Sequence, residues 1–317
     1  MPSMLEQLKR HSTVVADTGD IEAIKRFQPA DATTNPSIIL KALQSGHYSE
    51  QLAAALNWAR ENATPAEIVN TACDRLTVLM GLEILKQVPG KVSTEVPASL
   101  SFDTCATVES GSNLFAQYRE LGISAERILI KVAATWEGIQ AARVLESKGI
   151  HCNLTLVFNQ AQARACAEAG VYLISPFVGR ILDWHVKAAG HNNFNAENDP
   201  GVLSVRDIYR YFKQHSYPTV VMAASFRNIG EVLALSGCDR LTISPALLEQ
   251  LAQQEAQVNA VMADDHPRLP RPSVLTEEQF RWALNQDAMT TEKLAEGIRQ
   301  FHADHLKLAA LVTQALH

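Results

Sequence analysis

Eight short runs of β-branched and other apolar residues recur along the 317-residue chain, at 12–17, 32–39, 91–96, 127–132, 150–156, 171–177, 218–224 and 239–244. Most of the gaps between them carry a helical pattern. In 66–87, Ile68, Ala72, Leu76, Leu79, Leu82 and Leu85 return near one face, and in 135–147 Ile139, Ala142 and Leu145 do the same. Strand and helix alternating in this way restrict the chain to an α/β architecture in which helices cover a largely parallel sheet. Two closures satisfy the pattern: a (β/α)8 TIM-type barrel and a doubly wound open sheet.

Length does not force a division, because α/β barrels of this size form single units. The stretch 264–273, with Pro267, Pro270 and Pro272, reads as a linker to two helices at about 276–286 and 290–316. Too few residues follow it to build a second core. The expectation is one barrel domain over 1–317, with 274–317 as carboxyl-terminal capping helices.

Hydrophobic residues make up 47% of the chain and charged ones 20%, enough for a sizeable core and a soluble surface. The net charge of -6 and the scattered basic residues offer no stripe for a nucleic-acid backbone, so nucleic acid is excluded as a partner. Five cysteines without a CxxC argue against a disulfide framework or a thiolate metal site and suit a reducing compartment. No leader pattern precedes Glu6 and no apolar run approaches the ~18 residues of a membrane span, so the expected location is cytoplasmic, away from membranes. With no HExxH, GxGxxG or P-loop, neither metal nor nucleotide cofactor is expected, and His302 with His305 reads as an exposed helix face.

Chemistry-bearing residues gather near the carboxyl ends of the expected strands: Asp17, Thr33, Asn35, Glu95, Lys131, Asn153, Thr155 and Ser175, then Ser225 and Arg227. In a barrel that end carries the catalytic loops, so distant stretches would converge on one pocket. Lys131 lies between Ile128–Ile130 and Val132–Ala134, where desolvation would favour the neutral, nucleophilic amine. Taken alone, such a lysine reads first as one that snorkels to water, and Asp17 and Glu95 read also as ion partners or strand caps. Together the three supply what Schiff-base chemistry needs: an amine, an acid to expel water and a base to take a proton. Arg180, Arg227 and Ser225, beside helix starts, suit a terminal phosphate, although solvating arginines are common. Asn35, Asn153 and Ser175 could hold substrate hydroxyls, or serve as a helix cap and satisfied core polars.

The stretches VVADTGD (14–20), DATTNPS (31–37), GLEILKQVPGKVSTEV (81–96), RILIKVAATWEGI (127–139), CNLTLVF (152–158), ISPFVGRILDW (174–184) and ASFRNIG (224–230) resemble, in order and across nearly the whole chain, the bacterial transaldolase family, isoform A type. The resemblance implies a (β/α)8 barrel, no cofactor, a homodimer and transfer of a dihydroxyacetone unit between sugar phosphates in the non-oxidative pentose phosphate pathway. Donors would be fructose 6-phosphate or sedoheptulose 7-phosphate; acceptors, erythrose 4-phosphate or glyceraldehyde 3-phosphate. It further implies that Lys131 forms the imine, that Glu95 assists dehydration through a water held by Thr155, and that Asp17 moves the proton of the cleavage step. Asn35, Asn153 and Ser175 would position dihydroxyacetone hydroxyls, Thr33 would support the site, and Arg180, Ser225 and Arg227 would hold phosphate. Phe177 fits the transaldolase pattern, where related fructose-6-phosphate aldolases carry tyrosine. Ala223 departs from an expected glycine.

Overall fold

A computed structural model describes residues 2–316. It decides between the two closures. Strands β1 (Thr13–Asp17), β2 (Asp31–Thr33), β3 (Val92–Glu95), β4 (Ile128–Ala133), β5 (Cys152–Val157), β6 (Leu173–Pro176), β7 (Val220–Ala223) and β8 (Arg240–Ile243) form a closed barrel in chain order. Each strand pairs in parallel with the next, and β8 returns to β1. The chain is therefore a (β/α)8 barrel with additional carboxyl-terminal helices.

The run at 32–39 is shorter as a strand than the sequence suggests. Pro36 has no N–H to donate to a sheet but suits the first turn of a helix, and the helix Pro36–Gln44 starts there. Asn35 caps it, its side-chain oxygen accepting from the Ile38 N–H at 3.0 Å.

Inside the barrel, Val15, Leu129, Leu173 and Met222 form an apolar layer. A strand returns to the same face every second residue, so Asp17, Lys131 and Ser175 occupy the next layer toward the carboxyl end. The β5–β6 register shifts between Leu154 and Val157, and Leu156 takes a left-handed φ of 58°. This bulge sits beside Thr155 and re-aims the strand at the barrel rim.

Two helices, Glu277–Gln286 and Ala288–Leu316, close the chain near the bounds read from the sequence. Residues 254–276, a longer stretch than the expected linker, form neither helix nor strand. The last helix crosses the barrel mouth, packing Met289, Leu294, Ile298 and Phe301 against Ala133, Leu156, Phe158, Phe177 and Ile181. Farther along, Leu308 and Val312 join Ile39, Ala55 and Leu76 in a separate apolar cluster. Among the described residues no helix is long and apolar enough to cross a membrane.

Candidate active site

The register places Lys131 between Glu95 on β3 and Asn153 on β5. Its side chain and that of Glu95 are only 6% and 4% exposed, with Nζ 3.2 Å from Glu95 Oε2. Nζ donates its hydrogen bond to the Thr34 carbonyl at 3.1 Å. The contact with Glu95 is close enough for an ion pair but poorly aimed for a hydrogen bond, leaving Oε2 without a hydrogen-bonding protein partner. The lysine therefore does not snorkel. It points into the barrel, with carboxyl groups at hand.

Asp17 stands at the same mouth, accepting from the Thr33 hydroxyl at 2.9 Å. Thr33 Oγ1 also lies 2.7 Å from Thr242 Oγ1, and because its own proton goes to Asp17, Thr242 is the donor there. Desolvation raises the Asp17 carboxyl above the ordinary aspartate value, opposed by Lys131, Thr33 and Arg180. Desolvation likewise raises Glu95, opposed first by Lys131 and then by Arg180. Enclosure outweighs the nearby cation in both cases, so both groups are disposed to take up protons.

Asn153 is held at both ends of its amide. Its Nδ2 donates to Ser93 Oγ at 3.1 Å, and its Oδ1 accepts from the Ser175 hydroxyl at 2.6 Å. Thr155, fully enclosed beside the bulge, has a hydroxyl with no protein partner. Asn35 acts as a helix cap and also borders, with Glu95, Asp74 and His305, a narrow cavity of about 20 Å³, room for one water. Burial pushes the Asp74 carboxyl up to about 7.

At the other end of the mouth, Arg180 stacks over Phe177 (5.0 Å) and faces Phe301 (5.6 Å). Its guanidinium is pulled below its usual range first by burial and then by repulsion from Arg227. Arg227 is held by Asp183, with Nη2 donating at 2.6 Å, and its Nη1 reaches Ser225 Oγ at 3.3 Å. Ser225 adopts a left-handed φ of 63°, a strained conformation for a residue with a β-carbon. The sequence reading expected helix-start amides to join the anion site. The Gly179 N–H, at the start of its helix, donates to the Ser225 carbonyl, and the Arg227 N–H, which precedes the capping Asn228, donates to Glu231.

Sequence reasoning missed Ser93, Thr242, Asp74 and Phe301. The first two face inward by strand periodicity and could have been found that way. Phe301, whose ring centre is 5.7 Å from Lys131 Nζ, comes from the last helix, and no local signal ties it to the barrel. His302 and His305 are half-buried, because that helix folds over the mouth instead of presenting an exposed face. Burial, and then His302, lowers the His305 value. Among the described residues no group of three or more His, Cys, Asp or Glu side chains could hold a metal ion.

The transaldolase/fructose-6-phosphate aldolase family model matches residues 14–312. A transaldolase of Alteromonas mediterranea is 56% identical over all of this chain and 99% of its own length. One from Shewanella putrefaciens is 57% identical over 100% and 99%. One from Methylobacillus flagellatus is 56% identical over 100% of both chains. Likeness of this extent, on a barrel whose rim brings together a buried lysine, two carboxyls and two arginines, shows that the chain belongs to the transaldolase family, enzymes that transfer a ketone-containing group between sugar phosphates.

Proposed function

We propose that the enzyme transfers a dihydroxyacetone unit through a Schiff base on Lys131. The observation that carries this reading is the enclosed Lys131 Nζ, 3.2 Å from Glu95 in the barrel mouth. Nζ passes a proton to Glu95 and attacks the ketose carbonyl carbon. The resulting carbinolamine loses water as Glu95, through a water held on the Thr155 hydroxyl, returns a proton to the leaving oxygen. The iminium then draws the electron pair of the carbon–carbon bond that begins at its neighbouring carbon. Asp17 takes the proton of the hydroxyl on the far carbon of that bond, which becomes the aldehyde, the bond breaks, and the aldose phosphate departs. The enamine left on Lys131 adds to the acceptor aldehyde, Asp17 returns the proton, and hydrolysis frees the amine.

Asn35, Asn153 and Ser175 position the dihydroxyacetone hydroxyls, Thr33 fixes Asp17, and Phe177 backs Arg180. Arg180, Ser225 and Arg227 hold the phosphate. Donors are fructose 6-phosphate and sedoheptulose 7-phosphate, acceptors erythrose 4-phosphate and glyceraldehyde 3-phosphate, as in the non-oxidative pentose phosphate pathway. Borohydride added with fructose 6-phosphate should leave a covalent adduct on the peptide containing Lys131, read by mass. Lys131→Met should abolish it, and transfer activity retained in that variant would refute the assignment.

We take residues 1–317 as one barrel domain with 274–317 as capping helices, supported by the apolar contacts that the last helix shares with the barrel rim. A single cooperative unfolding transition is the check. The enzyme is further assigned to the cytoplasm, where four buried free cysteines and exposed Cys105 would stay reduced. It is also assigned a homodimeric state, which light scattering would test.

A further inference from the structure

One aromatic side chain stands beside both ends of the site and has no part in the proposed mechanism. Phe301, on the last helix, is 2% exposed, and its ring centre lies 5.7 Å from Lys131 Nζ and 5.6 Å from the Arg180 guanidinium. The ring therefore reaches from the amine to one of the cations assigned to phosphate. In a bound ketose phosphate these two points are joined by the portion beyond the breaking bond, so that portion runs along the ring.

The helix that carries the ring is tied down on either side of it. Before Phe301, Glu292 accepts from Trp184 Nε1 at 2.8 Å; after it, Asp304 accepts from the Ser37 hydroxyl and from Gln300 Nε2, the latter at 3.0 Å. One turn earlier, Gly297 lets the helix approach Leu156 and Arg180 closely. What a fixed apolar wall here can decide is the fate of the enamine. Transfer adds it to an aldehyde carbon. Release needs water: the enamine carbon takes a proton, water adds to the iminium carbon, and the carbon–nitrogen bond breaks with its electron pair staying on nitrogen. Dihydroxyacetone is freed, one water is consumed and the proton is returned. A ring packed over the amine leaves water few polar partners there, whereas an aldose phosphate is held by its own phosphate.

We propose that Phe301 determines the preference for transfer over release: its ring lines the path of the aldose portion and keeps water from the enamine on Lys131. The inference rests on the reading of Lys131 as the imine-forming residue and of Arg180 as phosphate-binding.

The test follows glyceraldehyde 3-phosphate formed from fructose 6-phosphate, with and without erythrose 4-phosphate. Without the acceptor, every turnover after the first requires release; with it, transfer competes. The ratio of the two rates in one sample does not depend on the fraction folded, so a merely structural role would not move it. In Phe301→Leu the release-to-transfer ratio should rise about tenfold over wild type, the lower end of what a changed apolar wall does to discrimination, and in Phe301→Ala it should rise further. Leu308→Ala, on the same helix but in the separate apolar cluster, should keep the wild-type ratio. Rates that fall together in Phe301→Leu or are both lost, or a ratio raised equally by Leu308→Ala, would overturn the proposal. Borohydride with fructose 6-phosphate separates the two readings. Wild-type enzyme without an adduct on Lys131 removes the Schiff-base reading itself; an adduct in wild type and in Phe301→Leu, with the ratio unchanged, removes only the role of the ring.

Discussion

Thr155→Val separates a structural hydroxyl from a functional one. Thr155 is fully enclosed, and its Oγ1 has no hydrogen-bond partner in the protein. Enclosing a hydroxyl without a partner costs about 1–3 kcal/mol, and valine replaces the hydroxyl with a methyl group of similar shape that suits a strand. Folding stability should therefore be unchanged or raised by up to about 1.5 kcal/mol. At roughly 2–4 °C per kcal/mol for a domain of a few hundred residues, that is a rise in Tm of up to about 6 °C. The same change removes the group assigned to hold the water used by Glu95, so imine formation should slow by about 10²-fold. Thermal unfolding measures the first quantity, and rapid-quench borohydride trapping with fructose 6-phosphate measures the second. A variant that traps at the wild-type rate yet loses more than about 1 kcal/mol would show that the hydroxyl serves packing, and the reasoning would fail.

Glu95→Gln should slow adduct formation by roughly 10²- to 10⁴-fold, and an unchanged trapping rate removes Glu95 from the mechanism. Gly297→Ala places a β-carbon 2.6 Å from Leu156 Cδ2 and 3.2 Å from Arg180 Nη1. The overpacking, about 1–3 kcal/mol, exceeds the roughly 1 kcal/mol gained in helix propensity, so thermal stability should fall and KM for fructose 6-phosphate should rise. A more stable variant with normal KM would contradict the observed close approach. For pH, the folded-state value of Asp17 is raised, so the native state holds the extra proton and this group's contribution falls as pH rises from the ordinary carboxylate range through the raised value. Asp17→Asn should accordingly gain stability relative to wild type at pH 8 compared with pH 5 in urea titrations, and an equal difference at both pH values would refute the raised value.

The barrel strands were legible because most carry the same physical signature, a short β-branched run followed by a helical period, and Asp17, Glu95, Lys131, Thr155 and Ser225 lie near or just beyond a run's end. The one misread strand, 32–39, failed at Asn35–Pro36, where two local rules compete. The β-branched content says strand, but a proline without an N–H behind a capping asparagine starts a helix. His302 and His305 were misread for a different reason. An amphipathic helix tells which face is polar, not which neighbour will cover it.

Composition and spacing alone thus determined the α/β class, the two carboxyl-terminal helices, and the set of side chains able to do carbonyl chemistry, since these follow from period and residue type. Tertiary structure decided that the sheet closes, because β8 meeting β1 is a contact across most of the chain. It also decided that Lys131 looks inward at Glu95 instead of reaching water, because the side a strand residue faces depends on the register of its neighbours. Phe301 reaches the same mouth only because the last helix packs back over the rim, which no short window of sequence records.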